Sequence, residues 1–397
     1  MKKTALLLSS IVSLGFALSP SEIYNSTLIN NHDLNSIEKS IAITNENIKL
    51  STKWQNPVLS IGANDIQFED TLSRDKEAMQ GQFIGLSQVI PMGNKLDIKK
   101  SIAKKDKNIV ILDLEDKKLQ LKAKIYEASY SIFILEEKLR LLNSYAKNIK
   151  KVEKLSTSLY KYNNSNQNMI LESKIQYTQI QIQKQNIENS IKNLYLKLEQ
   201  ISHLNIDSIE IPLLMKKASL QMDINSHPKI LIEEEKIKKF NKISELEKEN
   251  KKSDIKVNLT YFNRDSKYKD YANISLSMPL SVYKTEDIKS LKAKLEVNKL
   301  NDTLHHLKLH FKTELKSLEN NINTSLSNYN LIKTSILPLK NKIQKNMENY
   351  NTFTNIKPEN IINNLNKIIS YEIKALNQKK EYFSNLSKSK YYEVKVK

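Results

Sequence analysis

Two prolines and two tyrosines set the plan of this chain. Pro91 and Tyr162 stand 71 residues apart, and Pro279 and Tyr350 are separated by the same 71. Each proline closes a strand-like run. Each tyrosine opens a polar stretch between long helical patterns, Tyr162–Met169 in the first half and Tyr350–Glu359 in the second. A match held over that span argues for internal duplication. Whatever one half folds into, the other must repeat.

Breakers are scarce, with 5 glycines and 8 prolines in 397 residues. Such a chain must contain long uninterrupted elements, and helices satisfy that most simply. Apart from Gly15, the glycines fall at 62, 81, 85 and 93, which confines strand-and-turn chemistry in the first half to one window. The formal charge of +19 does not point to nucleic acid. Arg74, Arg140 and Arg264 are the only arginines, and the lysines are scattered among glutamates, whereas phosphate-reading surfaces cluster arginine with aromatic platforms. The absence of cysteine removes disulfides, thiol nucleophiles, Cys–metal sites and a lipid-anchored N-terminal Cys.

Met1-Lys2-Lys3, the apolar run Thr4–Phe16 and the small residues of Gly15-Phe16-Ala17 read as a secretory signal peptide, residues 1–17. The run is too short to span a bilayer, and no later stretch approaches 18 apolar residues. The expectation is an exported protein without a helical anchor.

The first repeat is expected over 18–203. A helix starts at Ser19-Pro20-Ser21-Glu22 and runs to about Lys53. Strands follow at about 57–68 and 79–91, then helices at about 94–159 and 166–203. A connector, 204–224, contains Pro212. The second repeat covers 225–390, with a helix to about Lys252, strands at about 254–262 and 271–279, and helices at about 285–349 and 358–387. A lysine- and tyrosine-rich end, with 391–397 as tail, is expected to be loosely held.

Ile224-Asn225-Ser226-His227-Pro228 echoes Ile29-Asn30-Asn31-His32-Asp33. Seven-residue series recur: Leu135, Leu142, Ile149; Ile180, Ile187, Leu194, Ile201; Leu315 to Tyr350 through Ile322, Tyr329, Ile336 and Ile343; and Ile362, Ile369, Leu376, Phe383. Sustained heptads predict coiled-coil-like packing. The predicted helix over 94–159 would be about 100 Å long. Pro338 falls inside another and should kink or open it.

The second hairpin has the clearest period of two. Ala272, Ile274, Leu276 and Met278 alternate with Asn273, Ser275 and Ser277. Each half reads helix, hairpin, very long helix, polar turn, long helix, which gives four strands of roughly 10 to 13 residues, a length that suits tilted membrane strands. Four strands cannot close a membrane barrel, which needs about eight, and an open edge in lipid leaves backbone groups unpaired. Either the hairpins pack on helices in water, or several chains share one barrel. A trimer would supply twelve strands, with the apolar set facing lipid and the polar set facing a lumen. The fold class is therefore mainly α with a small membrane β part.

At this point the chain resembles the TolC-like family of outer membrane efflux proteins. The resemblance rests on Leu28–Leu34, similar to the family's helix start, on its second copy Asn225-Ser226-His227-Pro228, and on the strand-to-helix joints Gln88–Pro91 and Leu276–Leu280. It covers essentially the whole mature chain and is carried by the ordered repeat. It implies a homotrimer whose 12-strand β-barrel in outer-membrane lipid continues into a periplasmic α-helical barrel. It also implies docking to a periplasmic adaptor (membrane fusion) protein and to an inner-membrane pump of RND or ABC type. At the two polar turns this chain has Asn163-Asn164-Ser165 and Phe353-Thr354-Asn355 where the family has glycine, and Asn tolerates the left-handed conformation. Glu359 matches the family's tunnel-mouth acids; Asn363 and Asn364 follow instead of further acids.

Tyr162, Asn163, Asn164, Tyr350, Glu359 and Asn363 are accordingly the candidate contacts at the tunnel tip, holding it closed or meeting the adaptor. His306 and His310 have the i, i+4 spacing of metal ligands, but no carboxylate or Cys completes a set on that face. Glu233-Glu234-Glu235 lie among lysines as a solvated face would. No nucleophile motif, phosphate-binding glycine loop or HExxH is present, so neither an enzyme nor a cofactor is expected. The expected function is the passive outer-membrane duct of a tripartite efflux or type I-like export system. The alternative is a periplasmic adaptor or coiled-coil scaffold that never enters the membrane.

Overall fold

The computed structural model describes residues 17–394 apart from 70, 72, 162–166 and 351–357. All but Ala17 of the predicted signal peptide lies outside the described residues. The helices are α1 (Pro20–Asn30), α2 (His32–Leu50), α3 (Lys95–Lys161), α4 (Gln167–Ser202), α5 (Pro228–Glu249), α6 (Thr285–Leu331), α7 (Leu337–Tyr350) and α8 (Pro358–Ser389). The strands are β1 (Val58–Asn64), β2 (Gly81–Ile90), β3 (Ile255–Asn263) and β4 (Tyr271–Ser277). The element order repeats once, helix–hairpin–long helix–helix. The chain divides into two compact units. One comprises the described residues up to Asn35, Glu115–His227 and those from Leu309 onward; the other comprises Ser36–Leu114 and Pro228–Lys308.

In the first unit, helix–helix clusters form the core. Ile23, Ile125, Ala128, Ile132, Leu198 and Ile206 make one; Leu142, Ala146, Ile149, Ile180 and Ile187 make another, on the heptad positions of α3 and α4. A third joins Tyr130, Ile134, Ile322, Tyr382 and Phe383 to Ile211 of the connector. The connector is extended, and Leu18 bridges Ile209 in parallel.

Several expectations need correction. The first helix does not run unbroken to Lys53. It splits at Asn31, whose backbone is extended (φ −74°, ψ 117°). The Asn31 side chain accepts from the N–H of Leu34 at 3.1 Å and donates to the carbonyl of Ile201 at 2.8 Å. An Asn that can bond local backbone competes with the helix and here caps the next one. β1, β2 and β4 are shorter than expected, at 7, 10 and 7 residues, and β3 has the expected 9; β1 and β4 are the sheet's edges, and each pairs on one side only.

The C-terminal turn is held rather than loose. Ser387, Ser389 and Tyr392 are buried. The Tyr391 hydroxyl donates to Asp116 at 2.7 Å, and Glu393 pairs with Lys122 at 2.9 Å and Lys390 at 2.6 Å. Tyr391 and Tyr392 also enclose His227, with ring centroids 4.7 and 6.0 Å away.

The long heptad series breaks after Tyr329. Between α6 and α7 the helix makes one π turn, Ile332–Ile336, closed by the Leu337 N–H bonding to the carbonyl of Ile332. A π turn inserts one residue into the helical register. The inward position therefore moves from Ile336 to Leu337 and from Ile343 to Gln344. Leu337 and Gln344 are buried, and Ile343 is exposed. Pro338, which has no N–H to give, follows directly.

Candidate functional site

The hairpins join into one antiparallel sheet of order β1-β2-β3-β4 within the second unit. β2 and β3, from different repeats, pair over nine residues from Gln82↔Asn263 to Ile90↔Ile255. The register stacks like with like. Ile61, Ile84, Tyr261 and Ala272 form one row of one face, and Leu59, Leu86, Leu259 and Ile274 form the next. Val257 pairs with Leu276 below them. This face is open: Ile61 and Ile274 are each 74% exposed, and Leu86 and Leu259 each 50%. Along β2 this face carries Ile84, Leu86 and Ile90, with Gln88 as a polar residue among them, over about 20 Å at roughly 3.3 Å per residue. An exposed apolar band of that extent is unusual for a surface facing water.

The opposite face is polar and small-sided along Ser60, Gly85, Thr260 and Asn273 and along Val58, Ser87, Asn258 and Ser275. Asn258 donates to Ser275 at 3.1 Å. Near the connecting loops, however, this face carries Gly62, Phe83, Phe262 and Tyr271 in one row. At those loops Arg264 donates to the carbonyl of Ala78 at 3.0 Å and to that of Lys269 at 2.7 Å, fastening the two hairpin ends together.

At the other end, the strand-to-helix joint is locked. Gly93 has φ +72°, and a Cβ there would come within 2.2 Å of a Glu249 carboxylate oxygen. That carboxylate accepts from the Asn94 N–H at 3.1 Å. Lys95, almost wholly buried, donates to Asp254 at 2.6 Å and to the carbonyl of Lys252. Asp254 also accepts from the Met92 N–H at 3.0 Å. Burial raises the Asp254 carboxyl, but hydrogen bonds from Lys95 and Met92 outweigh it and hold it below its usual range.

Of the predicted tip residues, Tyr162, Asn163 and Asn164 lie outside the described residues. Tyr350 ends α7 and Glu359 lies in the first turn of α8, their side chains outside the described set. Asn363 is exposed on α8. Its neighbour Asn364 is buried and donates to Gln344 Oε1 at 2.9 Å and to the carbonyl of Lys340 at 3.2 Å, tying α8 to α7. No sequence pattern announces this clamp, because the heptad count places Ile343 inward. His306 and His310 lie exposed on α6, and no group of three or more potential metal ligands occurs among the described residues. Among those residues, too, no helix is long and apolar enough to cross a membrane.

A duplicated set of long helices with one four-stranded sheet, apolar on one face and open at both edges, is the protomer fold seen in TolC-like outer membrane efflux channels. Neither a family model nor a curated protein matches the sequence. Solved structures do match. The Campylobacter jejuni CmeC outer membrane channel aligns with TM-score 0.76 at 12% identity, over 94% of this chain and 85% of that one. The Vibrio cholerae outer membrane protein VceC aligns with TM-score 0.71 at 9% identity, over 93% and 96%. The open-state Neisseria gonorrhoeae MtrE channel gives TM-score 0.69 at 12% identity, over 94% and 88%.

Proposed function

We propose that the protein is a passive outer-membrane exit duct, a homotrimer whose sheets join into one 12-strand barrel continuous with a helical tunnel through the periplasm. The observation that carries this reading is the sheet. One face carries apolar rows spread over about 20 Å, somewhat under the roughly 25 Å band of an outer-membrane barrel, and the opposite face is mostly polar. Edges β1 and β4 carry unpaired backbone groups that lipid would not tolerate; pairing β4 of one copy with β1 of the next removes every edge. In this arrangement Ile61, Leu86, Leu259 and Ile274 meet lipid, and Ser60, Thr260, Asn273 and Ser275 line the lumen.

The chain supplies no energy source. A periplasmic adaptor and an inner-membrane pump would do so, meeting the tunnel tip near Tyr162, Asn163, Asn164, Tyr350, Glu359 and Asn363. An adaptor or scaffold that stays in the periplasm leaves the open apolar face unexplained.

The test is mass by light scattering on protein extracted from outer membranes in mild detergent, with conductance in planar bilayers. A protein mass near three chains and stable channels support the duct. A monomer in the soluble periplasmic fraction overturns it.

A further inference from the structure

The polar face of the sheet has one row that does not fit it. Phe83, Phe262 and Tyr271 are adjacent across β2, β3 and β4, in a face otherwise built from Ser, Thr, Asn and Gly with few larger side chains. Phe262 and Tyr271 are stacked, centroids 4.7 Å apart and planes 11° from parallel. That separation equals the spacing of neighbouring strands, so the two rings stand side by side and project from the sheet. Phe83 leans the other way, 5.8 Å from Phe262 by centroid, over Gly62. A Cβ at Gly62 would meet two Phe83 ring carbons at 2.7 Å, so the glycine makes room for the ring. Arg264 lies over Tyr271 at 5.0 Å and fixes the far end of the row.

We infer that this row is an aromatic collar in the duct, a station at which flat aromatic solutes are held and selected during passage. The inference rests on the barrel reading above and adds the site and its ligand class. Threefold repetition would place nine rings on one level of the wall. An eight-strand barrel is just filled by its side chains, and sixteen strands leave a wide aqueous channel. Twelve strands lie between, so one level of large rings narrows a lumen that the Ser, Thr and Asn rows leave open. Polar rows offer a passing aromatic group nothing better than water does. The collar offers ring edges and faces, each pair adding to simple burial.

The test uses the assembled protein in planar bilayers, with 2-naphthalenesulfonate as probe and methanesulfonate as control, so that charge is constant and only the ring differs. Wild-type channels are expected to show current block by the naphthalene compound and none by the control. Phe262→Leu keeps apolar volume and removes the flat ring; it should preserve assembly and weaken the block about tenfold. Gly62→Ala displaces Phe83 and should change the open conductance. Wild-type channels that conduct but show no ring-dependent block, or a block and conductance unchanged in both variants, overturn the collar and leave the duct standing. A wild-type protein that forms no channels overturns the duct reading itself, and the collar with it.

Discussion

The side-chain amide of Asn323 pairs with both backbone groups of Ala218, accepting from its N–H at 2.9 Å and donating to its carbonyl at 3.1 Å. The Tyr382 hydroxyl treats Lys216 the same way, at 2.9 and 2.8 Å, and Glu319 accepts from the Leu220 N–H at 3.1 Å. Residues 216, 218 and 220 alternate along the extended connector. Side chains of α6 and α8 thus supply the ladder that a neighbouring strand would otherwise give.

Asn323→Ala is expected to leave two part-buried backbone groups unpaired and to destabilise the first unit by about 2 kcal/mol. The thermal midpoint by circular dichroism should fall, and trypsin should cut early at Lys216 or Lys217. Asn323→Asp keeps the acceptor but sets a carboxylate oxygen against the Ala218 carbonyl, one turn from Glu319, so it should destabilise as well. An unchanged midpoint in the alanine variant would show that the ladder does not hold the connector.

How much was legible in the sequence depends on whether a period ran undisturbed. Alternation in Ala272–Met278 marked β4 and its two faces, because side chains of a strand have period two. The heptads marked α3 and α4, and Leu142, Ile149, Ile180 and Ile187 are buried as that beat requires. The count failed where backbone geometry changed without a change in composition: nothing in Ile332-Lys333-Thr334-Ser335-Ile336 announces a π turn. Pro338 gave notice of a disturbance but not of its register. The β2–β3 pairing, the Asn364–Gln344 clamp and the connector ladder depend on contacts between residues far apart in sequence, which no local pattern encodes. Nothing in the sequence singled out Phe83 or Phe262; the strand pairing brings them into one row.

The π turn makes a prediction about register. The chain has no cysteine, so single cysteines report cleanly. Ile343→Cys should react with a maleimide in the folded protein, and Gln344→Cys should be protected. Removing Thr334 together with Pro338→Ala should yield a continuous α-helix in which Leu337 and Gln344 follow Tyr329 by seven and fourteen residues. The labelling pattern should then persist, with the thermal midpoint equal or higher. Protection moving to position 343 would show that the extra residue does not set the register.

The joint between β2 and α3 should be intolerant of change. Gly93→Ala puts a Cβ where Glu249 lies and forces a left-handed backbone on a residue that resists it. Asp254→Ala leaves the buried Lys95 ammonium with only the Lys252 carbonyl, and because Asp254 itself is partly exposed the loss should be about 1–3 kcal/mol. Both variants should reduce the folded, detergent-extracted yield, whereas Lys99→Ala, one turn further along α3, should not. Wild-type yields and midpoints for both would mean that the joint is not held by these contacts.

The docked C-terminus should be acid-sensitive through Glu393. Burial raises its carboxyl, but hydrogen bonds from Lys390 and Lys122 outweigh that, and the net shift is downward. A carboxyl with a lower pKa in the folded chain contributes stability above its unfolded value, near 4.3. That contribution is lost as pH falls through the folded value. The stabilisation is therefore present at neutral pH and begins to be lost as pH falls below the unfolded value of roughly 4.3. Glu393→Gln removes the titration, so the variant should start with a lower midpoint at pH 7 and lose less of it on acidification. Thermal midpoints of both proteins at pH 7 and pH 3.5 provide the check. Parallel losses in the two would show that the ion pairs of Glu393 do not couple to stability.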